Sequence, residues 1–107
     1  MDPAALVRQY YDALDEHEYD ALESILATGF VQRRPDRTFE GRDAFVRFMR
    51  DERPNPETTH ELAAVVDGDE AVAVRGRVLD SGTELFEFAD FFTIEDGRIA
   101  GLETYSR

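Results

Sequence analysis

The chain has 107 residues, enough for one domain over 1–107 and too few for two with interiors of their own. Twenty-four carboxylates face twelve cations, all arginine, and the formal charge of −12 argues against nucleic acid and anionic membrane as partners. There is no cysteine, so disulfides, thiolate nucleophiles and cysteine metal sites are excluded, and the only histidines, His17 and His60, lie too far apart to suggest a metal site. No apolar run approaches the ~20 residues that cross a bilayer, and the expected location is the cytoplasm. Charge self-repulsion is screened in concentrated salt, where the Debye length is about 3 Å at 1 M. The composition therefore points to a host with a salt-rich, halophilic cytoplasm, with an acidic mesophile protein, its lysine lost to GC-rich coding, as the alternative.

Asp2 is placed to cap a first helix with Pro3 at its first position, and Leu6, Val7, Tyr10, Tyr11 and Leu14 recur on one face. The polar run Asp15–Glu18 ends that face. A second short helix carries Tyr19, Leu22, Ile25 and Leu26, with Gly29 as its stop. Phe30 to Arg34 reads as a strand closed by Pro35-Asp36, and Thr38-Phe39 as a brief extended piece. Gly41 leads into a third helix with Phe45, Phe48 and Met49 on one face, halted by Arg53-Pro54-Asn55-Pro56. From Thr58 the pattern becomes strands divided by Asp67-Gly68-Asp69, Asp80-Ser81-Gly82 and Glu95-Asp96-Gly97, the spacing of an antiparallel meander. Three helices followed by a sheet make an α+β fold with helices on one sheet face.

Three segments carry a family resemblance: Val7 to Leu14 with Asp20-Ala21-Leu22, Phe39 to Phe45, and Ala89 to Ile99. In this order they resemble SnoaL-like (ketosteroid-isomerase-like) proteins of the nuclear-transport-factor-2-like superfamily. The resemblance implies a cone-shaped, strongly curved antiparallel sheet packed against three N-terminal helices, an α+β roll also described as cystatin-like. It implies a pocket inside the cone and a homodimer through the outer sheet face. It also implies site residues: the oxyanion-hole tyrosine corresponds to Tyr10 and the oxyanion-hole aspartic acid to Asp90. The family's general-base aspartate falls on Arg34, before Pro35, and an arginine cannot serve as a base.

Asp90 stands out without the resemblance. Alternation along Phe86, Phe88, Asp90, Phe92 and Ile94 sets one carboxylate on an apolar strand face, where it must be neutral, paired or hydrogen-bonded. It reads as a pocket acid or as a structural carboxylate held by Tyr10 or an arginine. Arg33 and Arg34 are neighbours on a strand: either one of them faces inward, to bind a carboxylate or pair with Asp90, or both form a solvated edge pair. His60, early in the first long strand, is a candidate general base or a bystander. His17 is expected in solvent, and the string Asp12, Asp15, Glu16, Glu18, Asp20, Glu23 as a hydrated helix face.

The leading expectation is a cofactor-free, metal-free domain that binds a small, largely apolar molecule. Its pocket would be lined by Phe30, Phe45, Phe48, Val74, Phe86, Phe88 and Phe92, with polar contacts from Tyr10, Arg34, His60 and Asp90. Any chemistry would be of isomerase, cyclase, dehydratase or hydrolase type, with Asp90, Tyr10 and His60 catalytic. The alternative is a non-catalytic homodimerisation or protein-interaction domain. A third option, an epoxide-hydrolase-like site, needs a second inward carboxylate, for which Glu103 is the candidate.

Overall fold

Asp2 accepts a hydrogen bond from the Ala5 amide at 2.9 Å and Pro3 opens helix α1, Pro3–Asp15, as the capping signals require. The computed structural model describes residues 2–107. Leu6, Val7, Tyr10, Tyr11, Ala13 and Leu14 of α1 are all buried, and α2, Tyr19–Ile25, buries Leu22 and Ile25. The chain then enters strand β1, Leu26–Arg33, with no intervening turn. Gly29 is therefore inside a strand and not at a helix stop. It falls in the register irregularity between Leu26 and Val31, where a residue without a side chain tolerates the broken pairing.

Strand β2, Thr38–Glu40, pairs antiparallel with β1, and helix α3, Arg42–Arg47, runs into a π-helical turn, Phe48–Glu52, that ends before Pro54. Gly41, between β2 and α3, has φ 101° and ψ 141°, and its amide donates to the Phe30 carbonyl at 2.7 Å. A side chain there is strained whatever space surrounds it. Gly41→Ala should cost about 1–3 kcal/mol in urea unfolding, although no atom would crowd the new methyl group.

Strands β3 (Thr58–Asp67), β4 (Ala71–Asp80), β5 (Thr83–Glu95) and β6 (Arg98–Ser106) form the expected meander. Ser81-Gly82 and Asp96-Gly97 turn it with positive φ at both central positions, the geometry whose twist suits a tight hairpin. The six strands run in the order β2-β1-β6-β5-β4-β3, antiparallel except where β1 lies parallel to β6. That parallel pair departs from an all-antiparallel sheet: β6, the last strand of the meander, docks beside β1 and runs in the same direction. Register breaks between Leu62 and Ala64, Val78 and Leu79, and Thr93 and Ile94 bend the sheet into an open, curved trough. The helices lie in that trough over one core that includes Val7, Leu22, Leu26, Phe30, Phe45, Phe92, Ile99 and Leu102. No helix among the described residues is long and apolar enough to cross a membrane.

Candidate functional site

A cavity of about 450 Å³ opens between α1, the π-helical turn, the Arg34–Asp36 loop and the inner faces of β4 to β6. Tyr10, Arg34, His60, Asp90, Phe48, Phe86 and Phe88 of the expected pocket line it. Phe30, Phe45, Val74 and Phe92 do not. Phe30 and Phe45 pack at 4.9 Å, Phe92 lies 5.3 Å from Tyr10, and Val74 is buried opposite Asp90, so these four fill the core beside the cavity. Aromatic residues at the right parity distinguish inside from outside, but not an open space from a filled one.

Strand alternation carries Asp90 inward, where it is 5% exposed. The Tyr11 hydroxyl donates to its Oδ2 at 2.6 Å. Tyr10, the tyrosine expected in that role, is also buried and lines the cavity, but it packs against Phe92 and Phe45. Both tyrosines are enclosed because α1 is wedged into the trough, and burial raises both hydroxyls further above their usual range. Burial also pushes the Asp90 carboxyl up, opposed by the Tyr11 hydrogen bond, by the Thr104 hydroxyl on the neighbouring strand, and by the nearby His60 and Arg34. Desolvation is the largest of these effects, so the fold shifts Asp90 toward its protonated form. Asp90 Oδ1 is buried without a partner. Tyr11→Phe removes the one hydroxyl bonded to Oδ2 and should cost about 1–3 kcal/mol in denaturant unfolding above neutral pH.

His60 is held from two directions. Its backbone amide donates to Asp15 Oδ2 at 2.9 Å, and its ring Nδ1 lies 2.6 Å from Asp15 Oδ1. A carboxylate accepts, so Nδ1 carries a proton, and in the neutral ring the lone pair falls on Nε2. The imidazole sits 5.1 Å from the Tyr11 ring and 5.6 Å from Phe88, so His60 packs on the ring whose hydroxyl bonds Asp90. Asp15 was expected on a hydrated face, yet its side chain is only 18% exposed. It stands four residues after Tyr11, one helical turn along the buried face, and that spacing is the signal that marks it.

Arg34 lines the cavity and Arg33 is exposed. Arg34 is tied to Asp36 at 3.2 Å rather than to Asp90. Gln32 and Thr104 also belong to the polar part of the lining, with Gln32 Nε2 donating to Thr104 Oγ1 at 3.0 Å, as do Arg53, Asn55 and Thr58. Neither Gln32 nor Thr104 was singled out in the sequence. Glu103 is exposed and accepts from the Tyr105 hydroxyl at 3.3 Å, so it is no second inward carboxylate. His17 lies at the surface with Nε2 2.7 Å from the Pro56 carbonyl. Tyr19 accepts at its hydroxyl from Arg53 Nη2 at 3.1 Å. Among the described residues no group of three or more metal-ligating side chains converges.

Residues 7–102 match the profile of the SnoaL-like domain. The chain belongs to the SnoaL-like family. Solved structures agree on the fold. A candidate polyketide cyclase from Sinorhizobium meliloti is 26% identical with a TM-score of 0.81, and 94% of each chain is covered. A candidate ketosteroid isomerase from Kribbella flavida is 19% identical with a TM-score of 0.87, covering 97% of this chain and 76% of its own. An LEH-like epoxide hydrolase from M. tuberculosis is 16% identical with a TM-score of 0.81, covering 97% and 81%. No curated protein matches the sequence significantly. SnoaL-like membership accounts for the curved sheet and the helices in its trough; these two low-identity likenesses speak to the fold alone.

Proposed function

We propose that this SnoaL-like domain binds a small, largely apolar organic molecule in the cavity and moves protons on it without a cofactor. The observation behind this reading is one cavity lined by two differently tuned groups. His60 has its tautomer set by Asp15, and Asp90 is a buried acid bonded by Tyr11. Such a pair divides the work of base and acid. His60 Nε2 takes a proton from a carbon next to a carbonyl, and the Asp90 carboxyl hydrogen-bonds the oxygen on which charge develops. Tyr11 holds that acid in place, and Asp15 steadies the imidazolium that forms. Arg34 takes no part as a base.

Proton exchange in D2O tests the reading. Incubated with small cyclic ketones and enones, the protein should promote deuterium incorporation next to the carbonyl, followed by NMR. His60→Gln and Asp90→Asn should each slow exchange by about 100-fold or more. Exchange that both variants leave untouched would refute the assignment.

A second reading is favoured by the opposite sheet face. Phe91 and Tyr105 pack edge to face at 5.8 Å while 51% and 53% exposed, and Val66 is 66% exposed. Arg75 on β4 and Glu103 on β6 flank this patch, so two copies related by a two-fold axis can set arginine against carboxylate. Homodimerisation through this face is compatible with a ligand in the cavity. Sedimentation of the wild type and Phe91→Glu decides it: a dimer lost in the variant supports the face, and a wild-type monomer removes it.

A further inference from the structure

The cavity lining leaves specific polar atoms without partners. Asp90 Oδ1 and Gln32 Oε1 are both buried and unbonded, on residues only 5% and 4% exposed. Arg53 Nε is buried and unbonded as well, while Arg53 Nη2 is occupied by the Tyr19 hydroxyl at 3.1 Å. Arg34 bonds Asp36 through Nε, and its two terminal nitrogens make no hydrogen bond among the described residues. Leu14, Met49, Val78 and Phe88 supply apolar wall. Buried polar atoms left unpaired are costly, and their gathering around one space indicates that an occupant completes them.

We propose that the occupant is a small organic acid: an apolar body with a carboxylate held by Arg53 and Arg34, and a hydroxyl or enolic oxygen that meets Asp90 Oδ1 and Gln32 Oε1. The proposal rests on the cavity being a small-molecule site and names the chemical class that fits it. Arginine presents planar paired donors that suit a carboxylate. The chain as a whole carries −12, yet the cavity lining holds two arginines against one exposed carboxylate, Asp36, already paired with Arg34. Asp90 is the other lining carboxyl, and burial favours its neutral form. A hydroxyl can donate to Gln32 Oε1 and accept from the Asp90 acid in the same position. If the Gln32 amide is turned, its nitrogen faces the cavity and the same hydroxyl accepts from it instead.

The probes are 4-hydroxyphenylacetate, its methyl ester and phenylacetate, titrated into the full 15N-labelled chain near neutral pH. The acid should shift the Arg53 Nε–H resonance and bind at least about tenfold more tightly than the ester. Arg53→Gln should remove that preference, and Arg34→Gln, which spares the Tyr19 contact, should reduce it. Phenylacetate, lacking the hydroxyl, should bind about tenfold more weakly than 4-hydroxyphenylacetate, a gap that closes in Gln32→Ala. Equal affinity for acid and ester overturns the organic-acid proposal and leaves the small-molecule reading standing. Failure of all three probes to perturb any cavity residue overturns both.

Discussion

Asp90→Asn is expected to stabilise the protein at neutral and alkaline pH while removing its acid. The native carboxyl is raised above its ordinary range, with burial as the leading cause. Below the unfolded value of about 3.9 both states hold the proton and Asp90 adds no pH dependence. As pH rises from there to the native value, the unfolded chain has lost a proton that the native state retains. Stability therefore falls through this interval, and the full cost persists above it. Each unit of elevation is worth about 1.4 kcal/mol. Asparagine does not titrate, so its advantage over wild type should grow from acid to neutral pH and then level off. Tyr11 can still donate to the amide oxygen, and any mismatch at the amide nitrogen is independent of pH. Urea unfolding of both proteins across the acid-to-neutral range gives the difference curve; a flat curve would contradict a raised carboxyl. A more stable, less active variant is the usual relation at a strained functional site.

Gly76→Ala should be among the most damaging single-methyl changes in the sheet. Gly76 is a buried β4 residue paired with Phe88, and an added Cβ would lie 2.4 Å from the Glu61 carbonyl oxygen and 3.0 Å from Phe88 Cζ. The first contact is with backbone, so β3 itself must move, beside the register break at Leu62 and Ala64. Overpacking of this kind costs about 3 kcal/mol. Phe88 lines the cavity, so ligand binding should weaken along with stability. Gly76→Ala combined with Phe88→Leu should recover the part due to the ring and not the part due to the Glu61 carbonyl. Full recovery in urea unfolding would show that the backbone contact is unimportant.

Much of the architecture was legible because it depends on local rules. The Asp2-Pro3 start, the buried stripe of α1 and the Ser81-Gly82 and Asp96-Gly97 hairpins follow from capping, periodicity and turn chemistry. The inward position of Asp90 follows from strand alternation. Less of the site was legible, because its contacts join residues distant in sequence. Nothing local links Asp15 to His60 across 45 positions, or Gln32 to Thr104 across 72. Tyr10 and Tyr11 are adjacent on a helix enclosed on most sides, so periodicity buries both without saying which reaches Asp90. No turn residue marks the helix-to-strand junction at Ile25-Leu26, and Gly29 offers a false stop.

Asp90 is buried and shifted toward its neutral form beside the cavity. Following the Asp90 side-chain carboxyl carbon by 13C NMR as a function of pH tests that shift directly. The expected midpoint lies clearly above the ordinary aspartate value of about 3.9 and rises further in Tyr11→Phe, where a hydrogen bond that favours the ionised form is gone. A midpoint at or below that ordinary value would contradict it.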